Sequence, residues 1–194
     1  MNPSDFTRDY IRRWEGGMSR DPNDAGNWST GKKGVGTLLG SNLGVTGRTL
    51  AMFRGVSVST LRMADIEAIT LDEATRIALR LFYEQPGISR LPWNRVTASV
   101  MDFGWGAGPT ASVKMLQDLC DVAQDSQVGP KTVAAYEALL AQGETFAAGA
   151  WWAMREEYYE ALVERRPSDA IYLKGWDNRS RYFTPISDWW GRAA

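Results

Sequence analysis

The chain has 194 residues, with 22 Lys and Arg against 23 Asp and Glu, so its net charge of −1 carries no basic excess of the kind that marks a nucleic-acid binder. A hydrophobic content of 44% and a charged content of 23% fit one globular domain or two small ones and exclude disorder. There is no histidine and one cysteine, Cys120, so Ser-His-Asp and Cys-His sites, a His/Cys zinc site and an internal disulfide are all excluded. Acid–base chemistry near neutral pH falls to Asp, Glu, Lys or Tyr.

In chain order, Pro3 followed by Phe6, Tyr10 and Trp14 predicts an amphipathic helix ended by Gly16-Gly17. From Asp21 to Gly47 the periodicity disappears, and seven glycines fall between Gly26 and Gly47 (26, 31, 34, 36, 40, 44 and 47). This predicts a loop containing a short hairpin. Ser57 to Ala68 reads as a short helix. Thr70-Leu-Asp-Glu73 is a capping box for the next, with Ala74, Ile77, Ala78 and Leu81 inward and Pro86 as its stop. Helices are predicted from Trp93 to Phe103, from Pro109 to Cys120, from Pro130 and from Phe146 to Arg165. The aromatic tail, Tyr172 to Trp190, is expected to dock on the core through Trp176, Tyr182, Phe183, Trp189 and Trp190. The fold class is therefore mainly α, with a glycine-rich loop or small β-hairpin after the first helix. No run of about 18 apolar residues predicts a membrane span, and the N-terminus shows no signal-peptide pattern.

Two carboxylates stand out. Glu15 is the last residue before the double glycine, at the negative end of the first helix, where an ionised side chain is disfavoured by about 0.3–1 kcal/mol. A carboxylic acid that keeps its proton is what a glycosidase needs to protonate the leaving oxygen. Asp24, in Asp21-Pro22-Asn23-Asp24, places a second carboxylate on a loop, where it serves either as a turn former or as the group that positions water. The stretch Gly26-Asn-Trp-Ser-Thr-Gly31-Lys32 fits GxxxxGK, but Lys33 stands where a phosphate loop needs Ser or Thr, and no buried strand precedes it. No nucleotide is expected.

The run Trp14-Glu15-Gly16-Gly17 followed by Asp21-Pro22-Asn23-Asp24 resembles glycoside hydrolase family 108, lysozyme-like muramidases of phages and bacteria. The resemblance continues through Ile69-Thr70-Leu71-Asp72-Glu73-Ala74, Leu91-Pro92 before Met101-Asp102-Phe103, and Gly108-Pro109 before Leu116-Gln117. Val128-Gly129-Pro130-Lys131-Thr132 and Gly175-Trp176-Asp177-Asn178-Arg179 look like that family's C-terminal, predicted peptidoglycan-binding segment. It implies a lysozyme-like catalytic region over 1–90 and a helical peptidoglycan-binding region over 91–194, packed as one globule. The catalytic acid falls on Glu15 and its acidic partner on Asp24. The hydroxyl partner is either Thr30, which has the spacing of related lysozymes but lies in an apparent insertion, or Ser41, which stands where the family has Thr in T-N-x-G-I. Asn42, Tyr83, Asp102 and Trp105 are the expected substrate contacts, with Gly106 replacing the family's asparagine.

The implied activity is hydrolysis of the β-1,4 bond between N-acetylmuramic acid and N-acetylglucosamine in peptidoglycan strands, by a monomer without metal or cofactor. The alternatives are a lytic transglycosylase on the same fold and a non-catalytic wall-binding or structural protein. An enzyme of this kind is expected to wait in the host cytoplasm for a holin or secretion system and to act in the periplasm and wall. Carriage in a virion or secretion are the other routes.

Overall fold

The computed structural model describes residues 1–184, and Trp189 and Trp190 lie outside them. The chain forms two compact units, residues 2–81 and the residues from 82 on. It is mainly α, with a small antiparallel sheet in the first unit, as the sequence predicts.

In the first unit, α1 (Pro3–Trp14) begins at Asn2, whose side chain accepts from the Asp5 N–H at 2.9 Å. Of the stripe read from the sequence, Phe6 and Tyr10 are buried, with Ile11 beside them, all at 5% exposure or less, while Trp14 is half-buried. That face packs on α4 (Leu71–Leu79), which Thr70 caps by accepting from the Glu73 N–H at 3.2 Å. Between them, β1 (Ser41–Asn42) and β2 (Val45–Thr46) pair antiparallel, Ser41 opposite Thr46 and Asn42 opposite Val45. A helix the sequence reading missed follows at once: α2 (Gly47–Arg54), capped by Thr46 and closed by Gly55. The single helix expected over 57–68 is two pieces, a 3-10 turn (Val58–Thr60) and α3 (Met63–Glu67). Leu61 and Arg62 between them are extended, which buries the Leu61 side chain. After α4 the chain runs on through a π-helical turn, Arg80–Glu84.

The second unit comprises α5 (Arg95–Ala107), α6 (Pro109–Leu119), α7 (Pro130–Ala141), α8 (Glu144–Arg165) and α9 (Ala170–Arg181). Its core joins Val96, Val100, Phe103, Val113, Leu116, Tyr136, Leu139, Ala147 and Trp151. Helix α9 docks on α8, with Trp176 stacked on Tyr159 at 5.1 Å, and Phe183 is buried beyond it. An ion cluster fixes these helices. The Asp102 carboxylate, on α5, meets Arg155 Nη2 of α8 at 2.9 Å and Arg179 Nε of α9 at 2.7 Å. Arg155 is itself 1% exposed and also donates to Ser99 Oγ at 2.8 Å and to the Tyr159 hydroxyl at 3.0 Å. Burial pushes the Cys120 thiol up to about 11, so this lone cysteine is a poor nucleophile.

Asn94 caps α5 and also accepts from the buried Tyr136 hydroxyl at 2.8 Å. Burial, partly offset by the bonds to Thr97 and Asn94, pushes the Tyr136 phenol up to about 12 from an ordinary 10.0. The folded state then holds this proton where the unfolded chain releases it. The contribution of this phenol to stability is complete below pH 10.0 and is lost as pH rises towards about 12. The loss from this residue alone should approach about 3 kcal/mol. Denaturant titrations across that range, with tyrosinate absorbance as a second signal, should show it, and Tyr136→Phe should flatten the slope.

Candidate active site

Helix α1 delivers Glu15 to the site. Its backbone leaves the helical region (φ −96, ψ 127), while its N–H still donates to the Ile11 carbonyl at 3.0 Å. The side chain thus stands at the negative end of the helix, half-buried, with Oε1 shielded from solvent. The next residues tie it to the small sheet. The Gly16 carbonyl accepts from the Leu43 N–H at 3.1 Å, and Ser19 exchanges backbone bonds of 2.8 and 3.0 Å with Ser41. Gly40 permits this approach: it has φ +82, and a Cβ there would lie 2.6 Å from the Ser19 carbonyl oxygen. Ser41 is therefore held on the segment that directly follows Glu15.

Asp24 is exposed and caps the 3-10 turn Ala25–Asn27, its Oδ1 accepting from the Gly26 N–H at 2.8 Å. One residue that sequence reasoning passed over sets this turn in place. Asn27 is fully buried, and its Nδ2 donates to the Asp21 carbonyl at 3.0 Å and to Ser19 Oγ at 3.2 Å. Its backbone carbonyl accepts from the Leu39 and Gly40 N–H groups at 2.9 and 3.0 Å. Asn27 thereby joins the Asp24 turn, the segment leading to β1 and the segment after Glu15. Thr46, also passed over, stands opposite Ser41, and its Cγ2 would lie 3.5 Å from a Cβ added at Gly26. The adjacency arises from strand pairing, so no local sequence signal announced it.

The stretch that fits GxxxxGK forms a tight hairpin instead of a strand–loop–helix unit. Trp28 bridges Leu38, Ser29 N donates to the Thr37 carbonyl at 2.8 Å, and Thr30 Oγ1 donates to the Val35 carbonyl at 2.7 Å. Thr30 is exposed and its hydroxyl also accepts from the Lys32 N–H at 3.3 Å. It serves the hairpin itself.

Of the expected substrate contacts, Asn42 uses its amide nitrogen at the end of α3, donating to the carbonyls of Ile66, Ile69 and Glu67 at 3.2–3.4 Å. Tyr83, Asp102 and Trp105 belong to the other compact unit. Tyr83 is half-buried, edge-on to Trp93 at 5.5 Å, and burial together with Glu84 raises its phenol above the usual range. Trp105 is half-buried against Phe82 at 4.9 Å. The expectation for Asp102 needs correcting: its side chain is 0% exposed and clamped by Arg155 and Arg179, so it meets no polymer. Among the described residues, no group of three or more His, Cys, Asp or Glu is placed to hold a metal ion. A cavity of about 420 Å³ opens in the second unit beside Asp125, Gln127, Lys131 and Thr132.

A carboxyl with one oxygen shielded at a helix end, on a segment joined through Ser19 and Asn27 to a turn carrying a second carboxylate, offers the two groups that cleavage of a glycosidic bond uses. The comparisons agree with that chemistry. The family model described as Glycosyl hydrolase 108 matches residues 8–108, and one described as Predicted Peptidoglycan domain matches residues 111–181. A solved structure titled "Structure of Brucella abortus SagA" is similar, with a TM-score of 0.71 at 26% identity over 90% of this chain and 87% of that one. No curated protein matches. The catalytic-type match covers more than half of the chain and contains Glu15, Asp24 and Ser41, and the second supports a role on peptidoglycan. The chain belongs to the glycosyl hydrolase 108 family.

Proposed function

We propose that this glycoside hydrolase is an N-acetylmuramidase, cleaving the β-1,4 bond between N-acetylmuramic acid and N-acetylglucosamine in bacterial walls. The observation that carries the reading is the setting of Glu15, with one carboxyl oxygen shielded from water and its flanking glycine bonded to the β1–β2 turn. Glu15 protonates the glycosidic oxygen as the bond breaks. Asp24, exposed at the head of its turn, orients water or stabilises positive charge at the anomeric carbon. Ser41 is the better hydroxyl partner, because Thr30's hydroxyl is engaged inside the hairpin while Ser41 is paired to the segment after Glu15. The glycine-rich excursion lets backbone approach the sugars where side chains would intervene. Export by a holin or a secretion system completes the proposal.

Product masses test it. Purified peptidoglycan digested by the native chain should yield fragments with a reducing N-acetylmuramic acid end, one water added per bond cut. Anhydro ends, lighter by that water, would show a transglycosylase. Reducing N-acetylglucosamine ends would move the cleaved bond. Binding without soluble fragments would mean a wall-binding protein that has kept the fold.

A further inference from the structure

We propose that the hairpin tip Lys32-Lys33, together with Arg48, is a subsite for the free carboxylates of peptidoglycan stem peptides, an inference that rests on peptidoglycan being the substrate. The chain as a whole is nearly neutral, but its charge is unevenly placed. Residues 25–64 contain no Asp or Glu, and their cations are Lys32, Lys33, Arg48, Arg54 and Arg62. Arg54 is neutralised by Asp65 at 3.4 Å and Glu73 at 3.0 Å. Elsewhere in the unit, Arg20 pairs with Glu67 and Arg8 with Asp72. Lys32, Lys33 and Arg48 are exposed, and among the described residues none of the three is in an ion pair.

The fold brings the three together. Gly31 has φ +70, and a side chain there would collide with the Arg48 guanidinium, which lies over the hairpin next to Lys32. The hairpin is held rigid by the Trp28–Leu38 bridge and the Ser29–Thr37 bonds, so its charges project from a fixed base. That base runs through Leu39 and Gly40, both bonded to Asn27, into β1 and Ser41. The cations therefore flank the segment that carries Asp24 on one side and Ser41 on the other. A glycan strand passing the site hangs its peptides outwards from every muramic residue, and each peptide carries carboxylates. Cations outside any ion pair, carried on the hairpin between the Asp24 turn and β1, meet those groups without touching the bond to be cut.

The test compares binding, without turnover, to purified sacculi freed of phosphate-containing polymers. The full-length chain carrying Glu15→Gln is compared with the same chain also carrying Lys32→Glu and Lys33→Glu. The charge reversal should weaken binding about tenfold at low salt, and the difference should shrink below about twofold near 0.5 M salt, where the Debye length is roughly 4 Å. Sacculi whose carboxylates have been amidated should bind the two proteins alike. Lys32→Gln with Lys33→Gln, which removes charge without adding any, should give an intermediate loss at an unchanged melting temperature. Equal binding of parent and reversed chains overturns the proposal, as does a difference that persists on amidated sacculi. A difference that appears only when phosphate polymers are left on the wall also overturns it. A native chain that releases no reducing ends would retire the muramidase reading alone, because this comparison needs no catalysis.

Discussion

Replacing Asp102 with alanine should destabilise the helical unit by about 3–5 kcal/mol and lower its melting temperature by at least about 10 °C. The reason is the company this carboxylate keeps. Its side chain has no exposed surface, and it is the anion that Arg155 and Arg179 share. Arg155 is 1% exposed, so removing Asp102 leaves a guanidinium buried with only neutral partners, Ser99 and Tyr159. The rings of Phe103, Tyr159 and Phe183, 5.6–5.8 Å from that guanidinium, hold part of the charge but do not replace a carboxylate. Asp102→Asn keeps the shape and removes the charge. A loss there nearly as large as in the alanine variant assigns the effect to ion pairing, and a loss confined to alanine assigns it to the cavity. Both are read by denaturant unfolding, and a change under about 1 kcal/mol in both would contradict this account of how α9 is held.

The same residue shows where a sequence stops speaking. Asp102 sits in a motif shared with a family of enzymes, and a carboxylate in such a motif invites a role on substrate. Nothing local distinguishes that from a core ion pair, because the two arginines that settle the matter come from α8 and α9. Asn27 is the reverse case: an unremarkable residue in a glycine-rich stretch becomes the joint of the site once the Leu39 and Gly40 N–H groups reach its carbonyl. Elements with their own punctuation were legible. Pro109 and Pro130 open α6 and α7 at the first helical position, and Thr70 caps α4, each through a local rule that packing did not override. Helix α2 was not legible, since its eight residues begin on a glycine at the end of a glycine-rich run. Its signals, Thr46 before it and Gly55 after it, were present but short. The break at Leu61-Arg62 follows from burying Leu61, a tertiary demand with no periodicity of its own.

The second large effect belongs to Glu15. Glu15→Gln preserves size and the backbone bond to Ile11 that closes α1, but removes the carboxyl proton that the proposed mechanism delivers to the departing sugar oxygen. Activity on peptidoglycan should fall by about 10²–10⁴ or more, while the melting temperature stays within about 2 °C of the native value. A loss that arose from unfolding would instead appear in both measurements. Asp24→Asn should cost less than Glu15→Gln if Asp24 guides water and does not form a covalent bond, because an amide still caps the turn at Gly26.

The most direct measurement is the release of new reducing ends from purified sacculi by native and Glu15→Gln proteins at matched stability. The account predicts steady release by the native chain and a fall of at least about a hundredfold in the variant. Release by the variant within about tenfold of native would show that another group donates the proton, and would contradict the assignment of residue 15 as the catalytic acid.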